Sequence, residues 1–336
     1  MFIMFHLIST PARLRLLPLF ICLFSLPSIV LGGSEKEEIW ISSTRSMFLS
    51  GYTQVNYEYQ EKGLDGFRIR RARLGLSGDV FNNIRYKLQV NVDKSPALLD
   101  GLIEISFIPQ VKLTLGQYKV PFSLENLTSS SALDTINRSQ TVENLCPGRD
   151  IGASGRDIGI TLNGQFSWLD YSLGVFNGSG INKPDLNDHK DSSVRLVIRP
   201  VRSLSIGLSR YDGRYRSSEM APVVEKERTG IDILCVLGAL AIKGEYIHGE
   251  DEHTKRSGWY IHGNYDLVSD RFQTIFRYDS FNANLDVRGN KMTVTTFGLN
   301  YFFTDKTKIQ LNYEFQKKAS GQASKNVILA QFQAGF

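Results

Sequence analysis

The sequence predicts an all-β chain, a 16-stranded antiparallel transmembrane β-barrel with a long third extracellular loop folded into the lumen. Three observations predict it. Apolar residues recur with period 2 rather than 3.6 across most of the chain. The connections between these runs alternate, tight turns on one side and longer polar stretches on the other. The run count is even, and the run lengths approach the ~9–11 residues of a tilted membrane strand.

Residues 1–33 stand apart. Arg13 and Arg15 flank an apolar run, Leu16 to Val30, that ends in Val30-Leu31-Gly32-Gly33 before SEKEE turns polar. This reads as a secretory signal peptide with cleavage near Gly32 or Gly33. Residues 34–47 form a periplasmic N-terminal segment, and 48–336 form the barrel. The whole chain of 336 residues is 42% hydrophobic and 22% charged, which excludes disorder. Mean hydropathy is -0.18, and past residue 33 no apolar run approaches the ~20 residues of a membrane helix. Without residues 1–33 the chain carries 37 basic against 34 acidic residues. That balance gives no argument for nucleic acid, and none is expected as a partner. Cys146 and Cys235 are expected as two thiols, a bridge between them being the alternative.

The strands are expected at 48–59, 67–79, 83–93, 101–108, 111–120, 157–165, 168–177, 192–200, 203–212, 228–236, 239–248, 257–268, 271–280, 292–303, 306–317 and 326–336. Long connections fall at 60–66, 94–100, 121–156, 178–191, 213–227, 249–256, 281–291 and 318–325. A soluble β-sandwich also alternates, but its turns do not sort by length. The last strand sets Ile328, Ala330, Phe332, Ala334 and Phe336 on one face. The terminal Phe336 resembles the signal by which outer-membrane barrels are recognised for assembly.

The stretch IRYKLQVNV (84–92) fixes the faces. A Lys or Arg held against lipid at the bilayer midplane costs roughly 2–4 kcal/mol. Tyr86, Leu88 and Val90 therefore face outward, and Arg85 and Lys87 face an aqueous lumen. The same logic turns Arg71 and Arg73 inward on the preceding strand, and Arg195, Arg199 and Lys112 on theirs. Arg68 and Arg70 fall on the outward row near the extracellular rim, where snorkelling or a bulge would accommodate them. Glu104, Asp170, Asp232, Glu245, Asp266, Asp279 and Glu314 face inward too. Alternation alone leaves two readings open: a ladder of Arg–acid pairs that stiffens a general channel, or an anion track.

The connection 121–156 is long enough to be functional. Its expected place is inside the barrel, narrowing it, with a cover over the mouth as the alternative. It carries Arg138, Arg149 and Arg156, Lys119 precedes it, and its Ser, Thr and Asn side chains can hydrogen-bond a partly dehydrated ion. No catalytic constellation, nucleotide fingerprint or metal-ligand spacing stands out, so neither an enzyme nor a cofactor or metal is expected.

FRIRRARLGLSGDVFNNIRYKLQVNVD (67–93), LTLGQYKVPFSLENLTSSSALDTINRS (113–139), GRDIGASGRDIGI (148–160) and YSLGVFNGSG (171–180) resemble the phosphate-selective porins O and P. The likeness covers about residues 48–336. It implies a homotrimeric outer-membrane channel, in contact with lipid, that passes small anions such as phosphate or pyrophosphate along Arg and Lys side chains. The motifs carry that role to Arg70, Arg71, Arg73 and Lys119. The expected pathway runs along Arg71, Arg73, Arg85 and Lys87, with Lys119, Arg138 and Arg149 at the constriction and Arg195 and Arg199 on a later strand. A general porin, or a surface barrel without transport, is the alternative.

Overall fold

The computed structural model describes residues 47–61, 63–317 and 324–336. The expected signal peptide and residues 34–46 lie outside them. The described strands are β1 (Met47–Gln60), β2 (Gly66–Phe81), β3 (Ile84–Asn91), β4 (Leu98–Ile108), β5 (Val111–Lys119), β6 (Arg156–Gln165), β7 (Leu169–Phe176) and β8 (Asp191–Val201). They continue with β9 (Leu204–Tyr215), β10 (Val224–Leu237), β11 (Leu240–Asp251), β12 (Thr254–Val268), β13 (Phe272–Asn282), β14 (Lys291–Phe302), β15 (Lys308–Lys317) and β16 (Lys325–Gly335). Each pairs antiparallel with the next, and β16 returns to β1 to close the barrel. At this seam Phe336 donates its N–H to the Gly51 carbonyl at 3.0 Å and accepts from the Gly51 N–H at 3.3 Å. The chain's final residue is thus part of the closure.

The two faces reverse the order of a soluble protein. Phe276, Phe297, Leu299, Leu311 and Phe332 are exposed on the outside. Gln54, Asn300, Gln310, Asn312, Gln331 and Gln333 are buried inside. In hydrocarbon only a closed barrel satisfies every strand N–H and C=O, so the apolar row must turn outward and the polar row inward. In β3, Leu88 is exposed while Lys87 reaches Asp100, as the energetic argument requires.

The expected strands recur within a few residues of their positions. One connection does not match. Residues 249–256 were expected as a long loop, but β11 runs to Asp251 and β12 begins at Thr254, leaving a tight turn with Glu252 at φ 51°. The ladder continues through polar residues because Arg228 Nη1 holds the Glu250 carbonyl at 3.1 Å.

The connection 120–155 contains two short helices, α1 (Leu124–Leu127) and α2 (Gln140–Leu145), capped by the side chains of Ser123 and Ser139. Its Val120, Phe122, Val142 and Leu145 are buried in one cluster with Tyr211, Ile247, Tyr260 and Phe281 of β9, β11, β12 and β13. Gly116 at its approach has φ 121°, and a Cβ there would sit 2.1 Å from the Gly101 carbonyl oxygen, so only glycine fits.

The assignment of faces predicts the outcome of a charge substitution. Leu299→Arg, on the outer row of β14, should lower unfolding free energy by about 2–4 kcal/mol in lipid vesicles. A drop of under ~0.5 kcal/mol would contradict it.

Candidate functional site

The inner wall of β1–β5 carries a group of bases on β2, β3 and β5. A β-bulge between Gln54 and Val55 pairs Gln54 with Arg71 and Val55 with Ile69, leaving Arg70 as the extra residue. Alternation had placed Arg68 and Arg70 outward. The bulge shifts the phase by one, so Arg68 pairs with inward Asn56 and Arg70 points inward beside Arg71. One inserted residue thus puts Arg70, Arg71 and Arg73 on the same side.

These bases are held by neutral groups. Arg70 Nη2 donates to Asn137 Oδ1 at 2.7 Å, and Arg71 Nη1 to Gln54 Oε1 at 2.9 Å. Arg73 donates to Asn91 Oδ1 and Tyr52 Oη, both at 3.0 Å, and to Ser130 Oγ at 3.3 Å. Lys119 Nζ donates to the carbonyls of Thr128 at 2.7 Å and Leu127 at 3.2 Å. Among the described residues no carboxylate oxygen lies within 4.0 Å of these four.

The other expected site residues are paired. Arg195 forks onto Asp232 at 2.6 and 3.0 Å, and Arg199 bonds Asp170. Arg85, near the short-turn end, lies 3.2 Å from Asp79, and Lys87 lies 2.8 Å from Asp100. Arg149 bonds Glu143 Oε1 at 2.9 Å and Asn126 Oδ1 at 2.7 Å. Arg138 is buried and bonds the carbonyls of Glu125 and Thr128. Burial and the neighbouring Arg149 charge push its guanidinium down to about 10. It acts as a strut within the loop.

A cavity of about 240 Å³ gathers Arg73, Lys87, Lys119 and Arg156 around a single carboxylate, Asp100. Asp100 binds Arg156 Nε at 2.6 Å as well as Lys87. Sequence reasoning missed Asp100, assigning it to a loop that ends before β4. A second bulge, where β3 pairing skips from Asp100 to Leu98, breaks the alternation there. Arg277 was also missed. It is buried on β13, 3.4 Å from Glu125, and its two-residue spacing from inward Asp279 was a usable signal.

The connection 120–155 bonds side chains of β10, β11, β12 and β15. The Glu125 backbone N–H donates to Glu245 Oε1 at 2.7 Å, and Ile136 N–H to Asn312 Oδ1 at 2.7 Å. Arg228 Nη2 lies 2.9 Å from Asp150. Asp134 Oδ2 lies 2.6 Å from Lys243 Nζ and 3.3 Å from His262 Nε2. Burial pushes the Asp134 carboxyl up, but the adjacent imidazole and ammonium outweigh it and hold it well below 3.8.

Two predictions follow from this geometry. Arg195→Leu should cost about 3–5 kcal/mol by leaving Asp232 buried and alone, while Arg195→Leu with Asp232→Leu should recover most of the loss in urea unfolding. Because the Asp134 carboxyl is lowered on folding, its contribution is complete above about pH 4 and is lost only as pH falls through the lowered value. Hydrogen exchange at 133–137 should therefore stay slow from pH 7 to 4. Loss of protection near pH 6 would contradict the assignment.

The model of the family described as "Phosphate-selective porin O and P" matches residues 44–222 and 214–336. No curated protein sequence matches significantly. Among solved structures, an anion-selective porin from Comamonas acidovorans superposes with TM-score 0.70 at 14% identity, over 87% of this chain and 100% of that one. OmpF of Salmonella typhi, solved with daunomycin, gives TM-score 0.66 at 8% identity, over 86% and 97%. The trimer form of OmpT of Vibrio cholerae gives 0.61 at 11% identity, over 86% and 99%. With a closed 16-stranded barrel and a family match along nearly all of it, the chain belongs to the phosphate-selective porin O and P family and is an outer-membrane porin of a Gram-negative bacterium.

Proposed function

We propose that this porin is a passive, anion-preferring channel for phosphate-class oxyanions. Arg70, Arg71, Arg73 and Lys119 form its track, and the connection 120–155 lies inside the barrel as its constriction. One observation carries the reading: those four bases have only neutral partners, whereas Arg195, Arg199, Lys87 and Arg149 are matched by acids. An anion approaching a paired base competes with a resident carboxylate. At a base held by amides, hydroxyls and carbonyls it supplies the missing countercharge. The inward position of the loop is supported by its bonds to inner-face side chains on β10 to β16 and by the apolar cluster beneath it. Selectivity then comes from charged side chains whose hold is weak enough to release the ion.

The wider reading follows the same family. The first 33 residues serve as a cleaved signal, the barrel sits in outer-membrane lipid as a homotrimer, and Phe336 is presented to the assembly machinery. The trimeric form of OmpT supports the oligomer, and the pairing of Phe336 at the seam supports a role in closure.

In planar bilayers the wild type should prefer anions in a KCl gradient, and millimolar phosphate should reduce its chloride current. Arg71→Gln with Arg73→Gln should lower the anion-to-cation permeability ratio by about threefold or more while conductance persists. A cation preference in the wild type, or indifference to phosphate, overturns the proposal.

A further inference from the structure

Resting on the anion-preferring reading, we infer that Asn137 is a specificity-determining residue, a neutral spacer that keeps Arg70 from being quenched by Glu314. Arg70 is the base of the track nearest the long-loop end. It lines a cavity of about 280 Å³ together with Glu314 of β15, Glu143, which pairs with Arg149, and Asp279, which accepts from Gln140 and Thr141. Opposite charges sharing a small cavity would ordinarily collapse into an ion pair. Here Arg70 and Glu314 do not, and the Asn137 side chain stands between them. Its Oδ1 accepts from Arg70 Nη2 at 2.7 Å, and its Nδ2 donates to Glu314 Oε1 at 2.9 Å.

The carboxamide suits this place because it is an acceptor at one end and a donor at the other. Only one orientation works, since the reverse would set donor against donor and acceptor against acceptor. The backbone holds it there: the Asn137 carbonyl accepts from Thr135 Oγ1 at 2.7 Å and Arg277 Nη1 at 3.0 Å. Glu314 is buried, and its second oxygen accepts from another carboxamide, Gln316 Nε2, at 2.8 Å. Both its oxygens are thus occupied by neutral donors. Arg70 keeps its Nε without a hydrogen-bond partner. That nitrogen is buried, so what the guanidinium retains for a passing oxyanion is its charge.

The test is phosphate block of chloride current through single channels, with phosphate added on the long-loop side. Asn137→Ala should let Arg70 close on Glu314, raising the half-blocking phosphate concentration about three- to tenfold. Glu314→Gln alone should stay within about twofold of wild type, because Arg70 is already insulated. Asn137→Ala combined with Glu314→Gln should return to within about twofold, since the acid that Asn137 holds apart from Arg70 is then gone and Glu143 and Asp279 keep their own partners. If Asn137→Ala yields no folded channel, Asn137→Ser, too short to bridge both partners, carries the same expectations. Equal loss of block in both Glu314 backgrounds would show that Asn137 acts only by shaping the loop, and would overturn the inference. So would an unchanged block in Asn137→Ala. A wild type without anion preference instead defeats the underlying reading before any variant is compared.

Discussion

Hydrocarbon offers no partner to a backbone N–H or C=O, and the rest of this structure depends on that constraint. It requires the sheet to close, which the chain does by pairing β16 with β1, a ladder that the exchange between Phe336 and Gly51 extends. Once the sheet closes, every strand has one face in lipid and one enclosed. The apolar row must take the first, leaving the polar and charged residues no other place than the inside. The bases of IRYKLQVNV are therefore inside because the outside cannot accept them.

The enclosed face then divides into two kinds of wall. On β9 to β15 the inner residues bind the long connection. Tyr211, Ile247, Tyr260 and Phe281 bury its apolar side chains, while Glu245, Lys243, Arg228 and Asn312 take up its polar groups. Those charges are committed to neighbours. On β1 and β2 the inner residues meet the same connection mainly through neutral oxygens, those of Ser130 and Asn137. The acids that meet the loop are thus on β11 to β15, and Arg70 and Arg73 of β2 meet it without countercharges. At ~4 Å and an effective dielectric of ~20, a carboxylate is worth on the order of 4 kcal/mol to its partner, enough to set the paired bases apart from the unpaired ones.

Most of the fold was legible in the sequence because it depends on period-2 alternation and turn length, both local properties. The strand number and the faces of β3 and β8 needed nothing more. The error at Arg70 has one physical origin. A bulge inserts a single residue and reverses inward and outward beyond it, and no local signal in FRIRRAR or SPALLDG announces it. Arg70 was misplaced for that reason, whereas Asp100 was read as loop because β4 begins three residues before its expected start. The 249–256 error differs: polar residues that read as loop extend a hairpin above the membrane, where outward charge is harmless. The pairing of Arg195 with Asp232 was open in sequence because alternation gives a face but not a register.

The bulge in β2 also explains how three arginines can share one wall within four residues. A regular strand would place Arg71 and Arg73 inside and Arg70 in the rim of the bilayer, with ~7 Å between successive inner side chains. The extra residue brings Arg70 in beside Arg71 without lengthening the paired ladder, because β1 contributes no counterpart. Like charges so close repel, and an acid at bonding distance would pair with them. The acceptors that meet them are instead Gln54, Asn91, Tyr52, Ser130 and Asn137, which can orient a guanidinium but cannot neutralise it. On the proposed anion-preferring reading, an entering anion supplies the countercharge that these acceptors cannot.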